Sequence, residues 1–411
     1  MTTKFSFHDH LYPQCKPGGG SALTVVTELQ PAGGEHATVA PAQYVDGRGN
    51  ATFAFETRYI SGQPMLVVIV DSKQSVSNRD ESAVVQARND ESSPGYQLLS
   101  KVPTIRVTYE NAGKSFTDLD LPARGFDGHI QAGRIEGVPA THHDSYRAVR
   151  DSSQADASAV FNTAPTMALL GGWDSRRKAN QARFRTILSG EVIGVTAKQT
   201  DSDHKSPTRG AGRADSVSPS VKLDGKNLDR LLKDQEAELS DKNIAKLQNQ
   251  SKQTKDKPIS LAGLGLGNIP PRVDQNLGGV ACSRIIRTRV LSFSALRQLR
   301  FGGDAESDAA HRAVLAAYGL LASALSAQEL VLRANCDLIE AAAPQVSLDK
   351  RYGQSEEFAP IEVDDAVELL EQALENLKTV AGIDWDGQVL DVVGDPSIIA
   401  SATDEDPEEE A

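Results

Sequence analysis

Residues 64–85 read PMLVVIVDSKQSVSNRDESAVV, and the change of pattern at Asp71 sets the fold class. From Pro64 to Val70 the residues are apolar and rich in Val and Ile, over a length that suits a central buried strand. Ser72, Gln74, Ser75, Asn78 and Arg79 then crowd the next turns, which reads as a helix starting as soon as the strand ends. Asp71 or Ser72 can cap such a helix. The same free N–H groups favour a phosphate, and the short polar side chains add donors around it. Capping and phosphate binding are compatible.

Working outward, SALTVVTEL (21–29), ATFAFETRYI (51–60), IIRTRVLSF (285–293) and LVLRANCDLI (330–339) read as further strands. Two helices follow from the pattern: one from about Ala305 to Leu325 with Asp304 as its cap, and an amphipathic one in VDDAVELLEQALENLKTV (363–380). Strands and helices are interspersed without a regular βαβ cadence, so the expected class is α+β.

Composition divides the chain. Residues 1–195 alternate apolar strands with polar turns. Residues 196–260 hold almost no large apolar side chain at first and many charges later, which reads as a flexible polar insertion. Within it, Leu228, Leu231, Leu232, Leu239, Ile244 and Leu247 recur at roughly helical spacing, as in an exposed helix or hairpin. Apolar patterning resumes over 261–401, and the acidic tail at 402–411 is expected to be disordered. No stretch approaches the roughly 20 apolar residues of a membrane span, and the first residues lack the apolar run of a signal peptide. The expectation is a cytoplasmic protein with no membrane contact. Cys15, Cys282 and Cys336 are odd in number and far apart, which suits reduced thiols.

Several motifs fail on their own chemistry. AGKS at 112–115 has Thr108 where a phosphate loop needs its first glycine, and GLGLGNIPP from Gly263 has prolines where a dinucleotide fold starts its helix. His8, His10 and Cys15 lack a second ligand pair, so neither a metal nor a cofactor is expected.

The arginines are the exception in an acidic chain of net charge -13. HHDSYRAVRDSS (142–153) holds His143, Arg147 and Arg150. GGWDSRRKANQARFRTILSGEVIG (171–194) holds Trp173, Arg176, Arg177, Lys178, Arg183 and Arg185, with no acid between Arg176 and Arg185. A local reversal of sign concentrates phosphates, and Trp173 and Phe184 at either end offer faces to bases. The bland reading is a solvated basic helix face. Arg284, Arg287 and Arg289 form a third set without an adjacent acid. Arg287 and Arg289, two apart on a strand, share a face and so favour a common ligand or partner.

Taken in order, VDSKQSVSNRDE, HHDSYRAVRDSS, the 162–194 segment, LGLGNIPPRVDQNLGG, RTRVLSFSALRQLR and VLRANCDLI resemble one family. It is the GSU-type RAMP-superfamily protein, the Cas-seven-type backbone subunit of the type I-G (formerly I-U) CRISPR surveillance complex, or Cascade. The resemblance spans about residues 20–340. It implies a modified RRM-like (ferredoxin-like) palm with a thumb-like hairpin and finger-like insertions. It also implies a non-catalytic subunit that lines up in copies along one guide RNA (crRNA), in a helical filament that recognises complementary DNA. Implied partners are the target DNA strand, the large subunit, a fused guide-processing and guide-capping subunit, and a recruited helicase-nuclease. By the same analogy Ser72, Gln74, Ser75, Asn78 and Arg79 lie on the palm, and the arginine sets lie along the guide. Two other readings stay open: metal-dependent RNA cleavage as in type III systems, with Asp71 or Asp144 as the acid, and a generic nucleic-acid-binding protein.

Overall fold

The computed structural model describes residues 3–45, 51–197, 212–213, 221–236, 238–254, 258–261, 264–266, 272–273 and 278–400. The chain divides into two compact units, one made of Met1–Pro207 and Val280–Ala411, the other of Thr208–Gly279.

The first unit is a mixed α+β structure. Its larger sheet is built from β1 (Ala22–Pro31), β2 (Phe55–Ile60), β3 (Gln63–Asp71), β4 (Leu188–Thr196), β5 (Cys282–Ser292), β6 (Gln345–Asp349) and β7 (Ser355–Phe358). They lie side by side as β7-β6-β1-β5-β4-β3-β2, every pair antiparallel, and Leu338–Glu340 adds to the far end of β1. Three long helices go with it: α1 (Lys73–Asn89), α2 (Ala305–Gln328) and α3 (Val363–Ala381). Leu23, Leu188, Leu291, Val346 and Leu348 join one core with Ala313, Val314 and Ala317 of α2 and Leu370 and Leu377 of α3. The sequence of α2 is apolar almost all round, and the helix is accordingly buried on nearly every side. Asp304 caps it by accepting from the amides of Glu306 and Ser307.

A second, five-stranded sheet orders Lys114–Thr117, Thr104–Tyr109, Val389–Val393, Arg134–Ile135 and Val138–Pro139. Its central pair is parallel and the others antiparallel. Gly113 turns between Thr104–Tyr109 and Lys114–Thr117, so AGKS belongs to a β-connection and not to a strand-to-helix phosphate loop.

One expected strand is corrected. Of LVLRANCDLI only the end, Leu338–Glu340, is strand. Asn335 takes a left-handed conformation and the Cys336 amide bonds back to Arg333, a turn that breaks the extended run.

Among its described residues the second unit contains two helices, Gly225–Asp234 and Asp241–Thr254. Leu228, Leu232, Leu247, Ile259 and Leu261 form its small core. It extends past the 196–260 stretch set by composition because Leu261, and Leu264 beside it, pack into that core. The acidic tail at 402–411 lies outside the described residues, as do residues 198–211, 214–220 and 267–271. Among the described residues no helix is long and apolar enough to cross a membrane.

Candidate nucleic-acid interface

β3 ends at Asp71 and α1 begins at Lys73, with Ser72 as cap, its hydroxyl accepting from the Ser75 amide at 3.3 Å. Lys73, Gln74 and Asn78 are exposed around this start, and Ser75 is half-buried. The helix has few apolar residues to bury, chiefly Val76, Val84 and Ala87, so ion pairs hold it in place. Arg79 reaches back to Asp71, Nε to Oδ2 at 2.8 Å and Nη2 to Oδ1 at 3.3 Å. Asp80 meets Arg289 of β5 at 2.7 Å, and Glu81 receives two hydrogen bonds from Arg124, at 2.5 and 3.0 Å. Burial pushes the carboxyls of Asp80 and Glu81 up, and these arginines oppose it by favouring the charged forms.

The Arg176–Arg185 run is not a helix face. It forms a hairpin in which Gly172 pairs with Phe184 and Trp173 with Arg183. Gly171 at its base has φ +92° and a Cβ there would stand 3.0 Å from Thr186 Oγ1, so only glycine turns the chain into the hairpin. Gln181 braces the loop, accepting from Trp173 Nε1 at 3.1 Å and donating to the carbonyls of Ser175 and Arg177. Trp173 is 52% exposed, with the Arg183 guanidinium 5.0 Å from its ring centre. Phe184, expected to offer a second face, is buried in the core instead.

This hairpin sits against the short helix Asp144–Arg150. Arg177 donates to the Arg150 carbonyl at 3.1 Å and to Asp151 at 2.6 Å, which fixes both segments and neutralises Arg177. His143 caps the short helix through Nδ1, and Arg147 is exposed with Asp144 at 3.6 Å. Arg150 is mostly buried. Among the described residues no acid pairs with Arg176, Lys178, Arg183 or Arg185. The two sets are also joined to each other, because Arg124 grips Glu81 of α1 and donates to the Gly171 carbonyl at 3.0 Å.

The third set is not without acids. Each β5 arginine has an acid, contributed by a residue distant in sequence: Glu28 for Arg284, Glu340 for Arg287, Asp80 for Arg289. Arg287 and Arg289 do share a face, but it is the buried one, and their partners differ; Arg289 also donates to Ser326. They tie β5 to its surroundings, and Arg287 and Arg289 line one cavity with Leu320, Gln328 and Glu340. Sequence reasoning missed Arg124 and Lys73. Lys73 stands inside the quoted run, whereas nothing local marks Arg124, since both its partners are far along the chain. The His10 ring accepts from the Ser6 amide, and Cys15 is buried.

Residues 23–199 match the family model of CRISPR-associated protein GSU0053. This is fewer than half of the residues, and it contains both the start of α1 and the Trp173 hairpin. No curated protein matches the chain in sequence. Among solved structures it is similar to the crystal structure of Csc2 from Thermofilum pendens, with 12% identity and a TM-score of 0.26, covering 92% of this chain and 80% of that one.

Proposed function

We propose that this chain is a guide-RNA-binding backbone subunit of a type I CRISPR effector complex, of the type I-G kind. The reading rests on one observation: the segment similar to a CRISPR-associated family carries the two exposed polar and basic elements that Arg124 holds together. Guides differ in sequence, so their carrier must grip what all guides share, the phosphates and the base faces. Arg176, Lys178, Arg183 and Arg185 supply the first, and Trp173 the second. Lys73, Gln74 and Asn78 flank them at the start of α1.

On this reading the larger sheet with α1 and α2 serves as the RRM-like palm, and the hairpin acts as a finger. Copies stack head to tail along one RNA in a helical filament, in the cytoplasm. The guide pairs with the target DNA strand. The large subunit, the fused guide-processing and guide-capping subunit and the helicase-nuclease complete the assembly, and cutting is left to the last. Support for a non-catalytic role comes from Asp71, which is 3% exposed and whose two oxygens are taken by Arg79. Incubating the assembled complex with complementary RNA and a divalent metal should leave the RNA intact. Fragments at regular spacing that disappear in Asp71→Ala would overturn this part of the reading.

A further inference from the structure

The turn between β6 and β7 holds an aromatic ring in a position that packing does not explain. Tyr352 is fully exposed, at 101%, and it stands between two other left-handed residues: φ is +70° at Arg351, +53° at Tyr352 and +75° at Gly353. A bulky side chain in this region costs free energy, which glycine would avoid. The turn is nevertheless rigidly built. Asp349 accepts from the amides of Ser21 at 2.8 Å and Arg351 at 3.0 Å, and the Arg351 guanidinium donates to the Gly19 carbonyl at 2.8 Å. Gly20 lies so close that a Cβ there would meet the Asp349 carbonyl at 2.0 Å. Lys350 bonds Glu356 at 2.9 Å across the turn. Strain maintained by such a frame, around a side chain that touches solvent, marks a contact residue.

The register says where this ring stands. Leu23 of β1 faces Leu348 of β6, Ala22 faces Ser292 of β5, and Leu188 of β4 faces Leu291. The Tyr352 turn therefore leaves the sheet at the same end as β4 begins, three strands away, or about 14 Å. Arg183 and Arg185 of the hairpin stand five and three residues before β4. β3 also finishes toward this end, where Asp71 faces Val192 and α1 starts.

We propose that Tyr352 is a stacking platform for a base of single-stranded RNA, extending the track from the Trp173 hairpin along the end of the sheet. The inference rests on the RNA-binding reading above. An aromatic face suits a base and is indifferent to sequence; of the cations beside it, Lys350 is paired with Glu356, while Arg351, held by the Gly19 carbonyl, keeps its charge for a phosphate.

The test uses the full chain and labelled single-stranded RNAs of several sequences, with 5-iodouridine at single positions for photocrosslinking. Tyr352→Ala and Tyr352→Gly should each lower affinity about tenfold for every sequence, with Tyr352→Phe retaining it. Tyr352→Gly should at the same time raise the thermal midpoint, which separates lost stacking from lost folding. A crosslinked peptide containing Tyr352 completes the expected result. Wild-type affinity in Tyr352→Ala, with the hairpin variants still impaired, would sink this inference alone. Loss of self-association with RNA affinity intact would overturn it in favour of a protein contact. Failure of the wild-type chain to bind RNA at all would remove the functional reading and this inference together.

Discussion

Asp118 shows what one buried carboxyl does to this protein. It is 1% exposed, its Oδ1 accepts from the Ile105 amide at 3.0 Å, and its Oδ2 has no hydrogen-bond partner among the described residues. Burial pushes its pKa up to about 7, although the Ile105 amide and the nearby Arg88 charge pull the other way. The folded chain therefore holds this proton more tightly than the unfolded chain does. Its contribution is fully favourable below about pH 4 and is lost as pH rises through about 7, at roughly 1.4 kcal/mol per unit. Asp118→Asn should raise the denaturation midpoint at pH 8 and leave little difference from wild type near pH 4. Equal midpoints at pH 8 would contradict the account. Asp80 and Arg289 make the opposite case, a buried pair whose single truncation leaves a bare charge. Arg289→Ala should cost about 3–5 kcal/mol in urea unfolding, and a loss below about 1 kcal/mol would show the pair to be dispensable.

Among the elements, the hairpin from Gly172 to Phe184 separates cations that hold it from cations it offers. Arg176, Arg183 and Arg185 have no acid partner among the described residues, whereas Arg177 is locked onto Asp151 and the Arg150 carbonyl. Replacing Arg176, Arg183 or Arg185 by Ala should flatten the salt dependence of RNA affinity by about 0.7 in slope for each phosphate no longer gripped, equally for all sequences. Arg177→Ala should loosen the hairpin and leave the slope nearly unchanged. Weaker binding of some sequences only would mean base readout and contradict the model. The β3–α1 junction and α2 are legible in the sequence because their apolar patterns and their caps are local. The acids of the β5 arginines are illegible for the complementary reason: Glu28, Glu340 and Asp80 come from elsewhere in the chain, and linear sequence does not show them as neighbours. Phe184 misleads because a two-residue strand carries too little alternation to tell its buried side from its open one.

For the whole molecule, the acidic balance and the local basic elements fit together. On the proposed function, a chain of net charge -13 repels nucleic acid over most of its surface and admits it where Arg176, Lys178, Arg183 and Arg185 stand. The proposed filament would need that arrangement, since each copy would have to hold the shared strand without gathering others. The most direct measurement is the native mass of the particle purified from cells that supply a guide, followed by sizing of its nucleic acid. The account predicts several copies of the chain on one RNA of discrete length, with Arg176→Ala, Arg183→Ala and Arg185→Ala combined shifting the mass to the free chain. A particle of one copy, or a continuous smear of RNA lengths, would contradict it.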